Sequence, residues 1–549
     1  MNRWRTRLAG ATAAVVASLT AVAPVNQATA TSAALRDYLV FYADGARTGA
    51  VDAIEAAGGT PVSTEPKLGY VVARGPATRF VESLATAPSV AGVSGDHRIG
   101  HAASVPVTGV SASDIRSLTV AGGEPLADRQ WDMKMIGATA GGSHLTAPGD
   151  RKVLVGVIDT GIDGKHPDIA PNFNRDLSRN FVTDIPKDPN GKDLDGPCEF
   201  EGCKDPADWD DDGHGTHVAS TIASPVNGLG VAGVAPGVSL VNLRAGQDSG
   251  VFFLKPSLDA LTYAADHGID VVNMSYYIDP WLFNCTANPS DSKAEQLEQR
   301  GVITGMQRAL DYARDHGVTL VSAIGNEATD LGSPKTDLIS PDYPLDTQRS
   351  REIDNTCLSV PAESNGVISV SAVGPSKRKA SYSDYGVEQT DLAAPGGDAA
   401  DSPDGKGGQD VTRTVLAAVP ENVLRAGHLV DADGKPRTDS VVRDCQGGTC
   451  AYYQYLAGSS MAAPHVTGVA AIIISRFGRP AKDGLTMRPA DVERLLYASA
   501  SQTSCPSPRR YVYQGFTGEN AHTCQGSKTH NGFYGHGIVD AARAATITP

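Results

Sequence analysis

The sequence predicts an α/β protein, a largely parallel sheet covered by helices on both faces, preceded by a small α+β unit. Two observations carry this. From Trp131 onward, short apolar runs rich in β-branched residues recur at 153–158, 239–243, 271–274, 319–323 and 367–372, with helical stretches such as 256–267 and 304–316 between them. Strands that are apolar on both sides and alternate with helices belong to parallel sheets buried on both faces. Residues 34 to about 100 follow a different rhythm of strands and helices. The chain has 549 residues, 41% apolar and 20% charged, which suits a large α/β enzyme plus an appendage and carries no disorder signature.

Taken in order, residues 1–30 read as a secretory signal. Arg3, Arg5 and Arg7 precede an apolar stretch over 8–25, and Ala28-Thr29-Ala30 supplies small residues for cleavage. The competing reading is an anchoring helix, but the stretch is rich in Ala and Thr and holds Pro24. No other segment offers the run of about 18 apolar residues that a span requires, so no stable membrane association is expected. In the next unit, 38–42, 69–73 and 90–93 predict strands, and 51–57 and 77–85 predict helices, the first ended by Gly58-Gly59. A unit of about 70 residues can fold alone, though on a marginal core. Residues 101–125 lack periodicity and read as a linker. The predicted division is therefore signal 1–30, small unit with linker 31–120 and main domain 126–549. Insertions at 184–212 and about 398–452 each hold a close cysteine pair and read as stapled surface loops.

The formal net charge is −15, and the first 30 residues contribute three arginines and no acid, so the remainder carries −18. An acidic body repels phosphate backbones, which excludes nucleic acid as a partner. Export makes the eight cysteines a disulfide framework; metal binding is disfavoured because no C-x-x-C pair is present. Eight cysteines allow about 105 pairings. The short loops favour Cys198–Cys203 and Cys445–Cys450, leaving Cys285–Cys357 and Cys505–Cys524 by elimination.

Three segments carry chemistry. VLVGVIDTGID at 153–163 ends a buried strand in Asp159, and sites assemble at the carboxyl ends of parallel strands. DDDGHGTHVAS at 210–220 opens a helix at the Gly-flanked His214. LAGSSMAAPHVTGVAA at 456–471 puts Ser460 at the amino end of a long apolar helix, with Pro464 expected within its first turn. A serine hydroxyl needs a neutral imidazole to take its proton, and the imidazole needs a buried carboxylate to fix its tautomer. Helix N–H groups beside Ser460 suit a developing oxyanion. Singly, Asp159 reads as a turn residue and Ser460 as a helix cap; in the order Asp, His, Ser the three read as a catalytic set.

These segments resemble the three signatures of the subtilisin-like serine protease family over about 130–545, in D-T-G-I-D, H-G-T-H-V-A and G-S-S-M-A-A-P, with Ser459 where the family usually has Thr. The resemblance implies a secreted serine endopeptidase made as an inactive zymogen, with polypeptide substrates and no cofactor required for the chemistry. In LVSAIGNEA at 320–328 it implies that Asn326 is an oxyanion donor. HGIDVVNMSYY at 267–277 resembles the substrate-pairing strand, so Ser275, Tyr276 and Tyr277 border the primary pocket, opposite Ala323, Ile324 and Gly325. The family usually continues Ser-Leu-Gly there, so substrate preference does not carry over. Residues 244–251 read as a second substrate-pairing edge. The unit at 34–100 resembles the inhibitory propeptide, and maturation is expected between His101 and Leu126.

Other readings were weighed on the same residues. His217 and His465 read as structural. The acids of 184–212 read as a solvated loop, since no EF-hand spacing is present; calcium on their oxygens is the competing reading, and no metal site is assigned. A non-catalytic peptide-binding protein on a protease scaffold is the alternative function. An esterase is disfavoured because Ser460 lies outside a G-x-S-x-G elbow. The acid-acting family with Glu and Asp is disfavoured by the intact H-G-T-H-V-A.

Overall fold

The computed structural model describes residues 35–77, 79–95, 123–402, 408–481, 484–514 and 520–549. The signal at 1–30 and most of the linker lie outside the described residues.

The first unit comprises β1 (Leu35–Tyr42), α1 (Arg47–Ala56), β2 (Thr60–Glu65), β3 (Tyr70–Pro76), α2 (Phe80–Leu84) and β4 (Val90–Gly95). Its antiparallel sheet runs β2-β3-β1-β4. Side chains alternate along a strand, so Tyr38 and Val40 face α1 and α2, where they meet Ile54, Phe80 and Leu84. Leu39 and Phe41 face the other way, into a cluster shared with the main domain. That explains the unbroken apolar run at 38–42: both faces of this sheet are covered. β2 was not predicted, because its residues are mostly exposed and include Pro61.

The main domain opens with two short helices, α3 (Trp131–Ile136) and α4 (Ser143–Thr146). β5 (Leu154–Ile158), β6 (Arg179–Asn180), α5 (His214–Ala223), β7 (Ser239–Arg244), α6 (Leu254–Asp266), β8 (Val271–Met274), α7 (Lys293–Asp315) and β9 (Thr319–Ala323) follow. A small ribbon, β10 (Thr336–Asp337) with β11 (Arg351–Glu352), precedes β12 (Val367–Val373) and β13 (Leu392–Pro395). The order β13-β12-β9-β8-β5-β7-β6 makes one seven-stranded sheet in which every pairing is parallel. One face is covered by α6 and α7, the other by α5 and the buried helix Ser459–Phe477.

The insertion at 398–452 is more than the surface loop expected. β14 (Val415–Ala418), α8 (Glu421–Ala426), β15 (Val441–Gln446) and β16 (Thr449–Leu456) build a second, antiparallel sheet ordered β14-β16-β15. Its Val415, Tyr453 and Tyr455 join the main core. Cys445 and Cys450 face each other across the β15–β16 turn. β16 leads into α9 (Ser459–Phe477), which α10 (Pro489–Ser499) follows. All four disulfides pair as expected: Cys198–Cys203, Cys285–Cys357, Cys445–Cys450 and Cys505–Cys524.

The first unit docks on α6 and α7. Arg308 of α7 donates to the carbonyls of Tyr42, Leu68 and Gly69, at 3.0–3.3 Å. Gly301 and Gly305 let the backbones approach: a Cβ on Gly301 would lie 2.6 Å from Val93 backbone, and one on Gly305 would lie 2.6 Å from the Phe41 ring. Those two glycines hid the helix's first half from sequence reading, which started it at 304. Its true start has a capping box between Ser292 and Glu295.

Candidate active site

Asp159 follows β5, Ser275 follows β8, and Gly325-Asn326 follows β9, so all three lie at the carboxyl end of the sheet. The loop after β5 and the start of α5 interlock through glycine: a Cβ on Gly215 would lie 2.1 Å from the Gly161 carbonyl oxygen. Asp210 ties the two together. Its carboxylate accepts from Thr160 Oγ1, Gly213 N–H, Thr216 N–H and Thr216 Oγ1. Sequence reading missed this role, although an acid just before a helix start is a recognisable capping signal.

His214 Nδ1 and Asp159 Oδ1 are 2.7 Å apart, both side chains buried. The carboxylate also accepts the Thr160 N–H at 2.8 Å. Burial alone pulls the imidazole pKa down; the charge and hydrogen bond of Asp159, with Asp212 and Asp210 behind, more than offset this and leave it above the usual histidine value. His214 Nε2 is buried with no hydrogen-bond partner among the described residues.

Ser460 is the second residue of α9, with its hydroxyl donating to the Ser275 carbonyl at 3.2 Å. Ser275 Oγ in turn donates to the Ser460 carbonyl at 3.1 Å. This corrects the expectation for Pro464, which lies beyond the first turn of α9. The N–H that proline lacks would have bonded the carbonyl four residues earlier, which is that of Ser460, and the Ser275 hydroxyl takes its place.

Asn326 is held by Ser459. Its Oδ1 accepts from Ser459 N–H at 2.8 Å and from Ser459 Oγ at 3.0 Å, which assigns the amide NH2 to the opposite side. Ser459 Oγ also accepts the Gly325 N–H at 3.2 Å. Behind the loop, Glu327 accepts the Asn326 N–H at 2.8 Å, while Asp384 Oδ1 accepts the N–H groups of Glu327 and Thr329 at 3.1 and 2.6 Å. Burial, and then the facing Glu327 carboxylate, hold Asp384 well above the ordinary carboxylate range.

The residues predicted to line the primary pocket pack closely within the fold. Ser275, Tyr276, Tyr277, Ala323 and Ile324 are all buried. Tyr276 stacks on Phe252 with ring centroids 4.1 Å apart, and Tyr277 packs in a separate cluster with its hydroxyl on Asp342 at 2.9 Å. Gly325 remains partly exposed, with the Asp384 carboxylate where its side chain would be. The second predicted edge closes on itself: Gln247 N–H donates to the Val251 carbonyl at 2.7 Å. His217 bonds the carbonyls of Val415 and Gln454, and His465 bonds Met461 O and Asp132, structural partners in both cases. The acids of 184–212 are not a solvated loop. Asp184, Asp188, Asp205 and Asp210 are buried: Asp184 and Asp205 pair with the fully buried Arg244, Asp188 caps backbone N–H groups of its own turn, and Asp210 ties the start of α5 to Thr160.

A parallel α/β sheet that gathers a buried acid–imidazole pair and a serine at a helix start defines the class of α/β serine peptidases. The chain belongs to the subtilase family, whose peptidase S8 model matches residues 150–537. It is 27% identical over 396 residues to fervidolysin of Fervidobacterium pennivorans, an alignment covering 69% of this chain and 41% of that protein. It is 28% identical to subtilisin DY of Bacillus licheniformis, covering 59% and 77% respectively. The fold matches the epidermin leader peptide processing serine protease of Staphylococcus aureus with a TM-score of 0.59 at 20% identity, over 94% of this chain and 98% of that one. The chain thus spans less than half the length of fervidolysin.

Proposed function

We propose that this chain is a secreted serine endopeptidase, made as a zymogen, in which Asp159, His214, Ser460 and Asn326 perform the chemistry. The observation that carries the reading is the buried 2.7 Å contact between His214 and Asp159, with His214 on the helix α5 that packs against α9. In this reading the Ser460 hydroxyl leaves the Ser275 carbonyl, transfers its proton to His214 Nε2 and attacks the substrate carbonyl carbon. The oxyanion accepts hydrogen bonds from the Asn326 amide and the Ser460 N–H. Collapse expels the amine with the proton from His214, and water then hydrolyses the acyl ester by the same route. The Asp159 carboxylate stabilises the imidazolium formed in each half-reaction.

Residues 34–100 are the inhibitory propeptide in this reading, released after a cut between His101 and Leu126, most of which lies outside the described residues. Their dock on α6 and α7 through Arg308 supports it. The signal at 1–30 and the four disulfides support export to an oxidising compartment.

The test is expression of the parent and of Ser460→Ala in a protease-free host. The parent is expected to lose residues 31–100, to react with a serine-directed covalent inhibitor and to cleave a diverse peptide library. The variant is expected to keep its amino-terminal unit. Normal processing of the variant would remove self-maturation from the reading. An unprocessed parent that binds library peptides without cutting them would instead establish a peptide-binding protein.

A further inference from the structure

The loop that carries Asn326 does not hold its own shape. Gly325 and Ala328 both have positive φ, 123° and 59°, and for an alanine that conformation is strained. The turn at 382–385 clamps the loop from behind. Three backbone bonds join the two: Asp384 N–H to the Gly325 carbonyl at 3.1 Å, Tyr385 N–H to that of Thr329 at 3.0 Å, and Ala328 N–H to that of Tyr382 at 2.7 Å. Asp384 Oδ1 adds two more by accepting the N–H groups of Glu327 and Thr329.

The other oxygen of Asp384 lies toward Glu327. A Cβ placed on Gly325 would sit 2.1 Å from Asp384 Oδ2 and 3.1 Å from Glu327 Oε2, so the two oxygens share one small space. The carboxyl groups are hydrogen-bonded to each other. Ionised carboxylates are acceptors only, so such a bond requires a proton on one of them. Asp384 is 1% exposed, whereas Glu327 reaches partial exposure and already accepts the Asn326 N–H at 2.8 Å. The more deeply buried group is the one that keeps the proton. Burial and the Glu327 charge favour the uncharged form of Asp384, with Lys379 pulling the other way.

Four other titratable groups face the pair: Lys379 and Tyr385 on the turn's own segment, Asp337 on β10 and Tyr277 after β8. Three of them are engaged elsewhere. Lys379 donates to the carbonyls of Ala380 and Ser383, Asp337 pairs with the buried Arg351, and Tyr277 bonds Asp342.

We propose that Asp384 is a positioning residue for the oxyanion donor: its protonated carboxyl donates to Glu327, and the bonded pair fixes the Asn326 loop. The inference rests on the peptidase reading. Ser459 holds the Asn326 side chain by its Oδ1, and the pair holds the Asn326 N–H. Loss of the proton replaces a hydrogen bond by two adjacent negative charges, which drives the loop away from the turn.

Infrared difference spectroscopy of the full chain carrying Ser460→Ala tests the proton without turnover. Subtracting the spectrum of the same chain with Asp384→Asn should leave the carbonyl stretch of one protonated carboxyl at neutral pH. Glu327→Gln should shift that band, because the partner becomes a neutral amide. No band, or a band that Glu327→Gln leaves unmoved, would overturn the pair. The active chain tests the consequence. Its kcat should fall about tenfold per pH unit above the raised pKa of the pair, with little change in KM. Asp384→Asn, whose amide donates the same bond but cannot ionise, should lack this alkaline fall, and Asp384→Ala should have a low kcat at every pH. The same profile in the parent and in Asp384→Asn, flat or falling, would overturn the link to Asn326, as would an effect on KM alone. A chain that shows the band but cuts no peptide would remove the peptidase reading and leave the pair. Cleavage without the band would remove the pair and leave the peptidase reading.

Discussion

Ser275 and Ser460 are bonded reciprocally: each hydroxyl donates a hydrogen bond to the other's backbone carbonyl, at 3.1 and 3.2 Å. The pairing joins the end of β8 to the start of α9. It repairs the carbonyl that Pro464 leaves open, and it holds the nucleophile of the proposed mechanism on the Ser275 carbonyl.

Removing the Ser275 hydroxyl should therefore be costly for the fold as well as the site. Ser275→Ala leaves the Ser460 carbonyl and the Asn273 amide, which donates to Ser275 Oγ at 2.8 Å, without that partner. A loss of about 1–3 kcal/mol is expected from one buried unsatisfied group. Urea unfolding of the Ser460→Ala background checks it, and an unchanged midpoint would refute it.

Asn326 and Ser459 should act as a pair. Asn326→Ala is expected to lower kcat by about 10²–10³, the range measured for such a donor in a subtilisin, with little change in KM. Ser459→Ala removes one of the two bonds to Oδ1, so a smaller fall in kcat is expected, restored by Ser459→Thr. Steady-state kinetics on a peptide substrate decide. Failure of Thr to rescue would separate the hydroxyl from the effect.

The acid limb of the rate profile should lie above the ordinary histidine value of 6.5, because the His214 pKa is raised. Only the neutral imidazole can accept the Ser460 proton, so kcat/KM should fall as pH drops through that raised pKa. Measurement of kcat/KM from pH 5 to 9 checks this. A rate that stays flat down to pH 5 would exclude His214 as the base.

Asp384 should matter through its acceptor oxygen rather than its charge. Asp384→Asn keeps an oxygen for the N–H groups of Glu327 and Thr329, whereas Asp384→Ala orphans both. The alanine variant is expected to lose about 1–3 kcal/mol per orphaned group and to lower kcat, with the asparagine variant near the parent. Equal losses in the two would show that the charge is what matters.

Gly301→Ala should affect the two parts of the molecule oppositely. In a helix interior alanine is favoured over glycine by about 0.8–1.0 kcal/mol, but the new methyl would strike Val93 at 2.6 Å. Hydrogen exchange on the full chain carrying Ser460→Ala is expected to show faster exchange in β4 and slower exchange in α7. Unchanged protection of β4 would show that the first unit tolerates the methyl.

What was legible in the sequence was local. The residues around Asp159, His214 and Ser460 are short because each must shape one turn or one helix start, and β5, β7, β8, β9 and β12 announce themselves as β-branched runs buried on both faces. β2 and β13 were not legible. β2 is largely solvated, and β13 is only four residues, Leu392–Pro395. The sheet β14-β16-β15 looked like surface loop because β16 mixes Tyr452, Tyr453 and Tyr455 with Thr449 and Gln454 without a clean alternation, and only packing against the main core shows which face is buried.

Chain order and the residue types of the site were determined by the sequence itself, since each depends on neighbours a few positions away. Loop length favoured only Cys198–Cys203 and Cys445–Cys450, and the fold decided the other two disulfides. The tertiary structure alone decided which partners those residues have. It placed Ser275 on Ser460, Ser459 on Asn326 and Asp384 behind the loop, turned Tyr276 and Tyr277 into packing, and drew Asp184 and Asp205 around Arg244. Each of these pairs residues tens to hundreds of positions apart. A hydrogen bond acts over about 3 Å, and only the folded chain brings such residues that close.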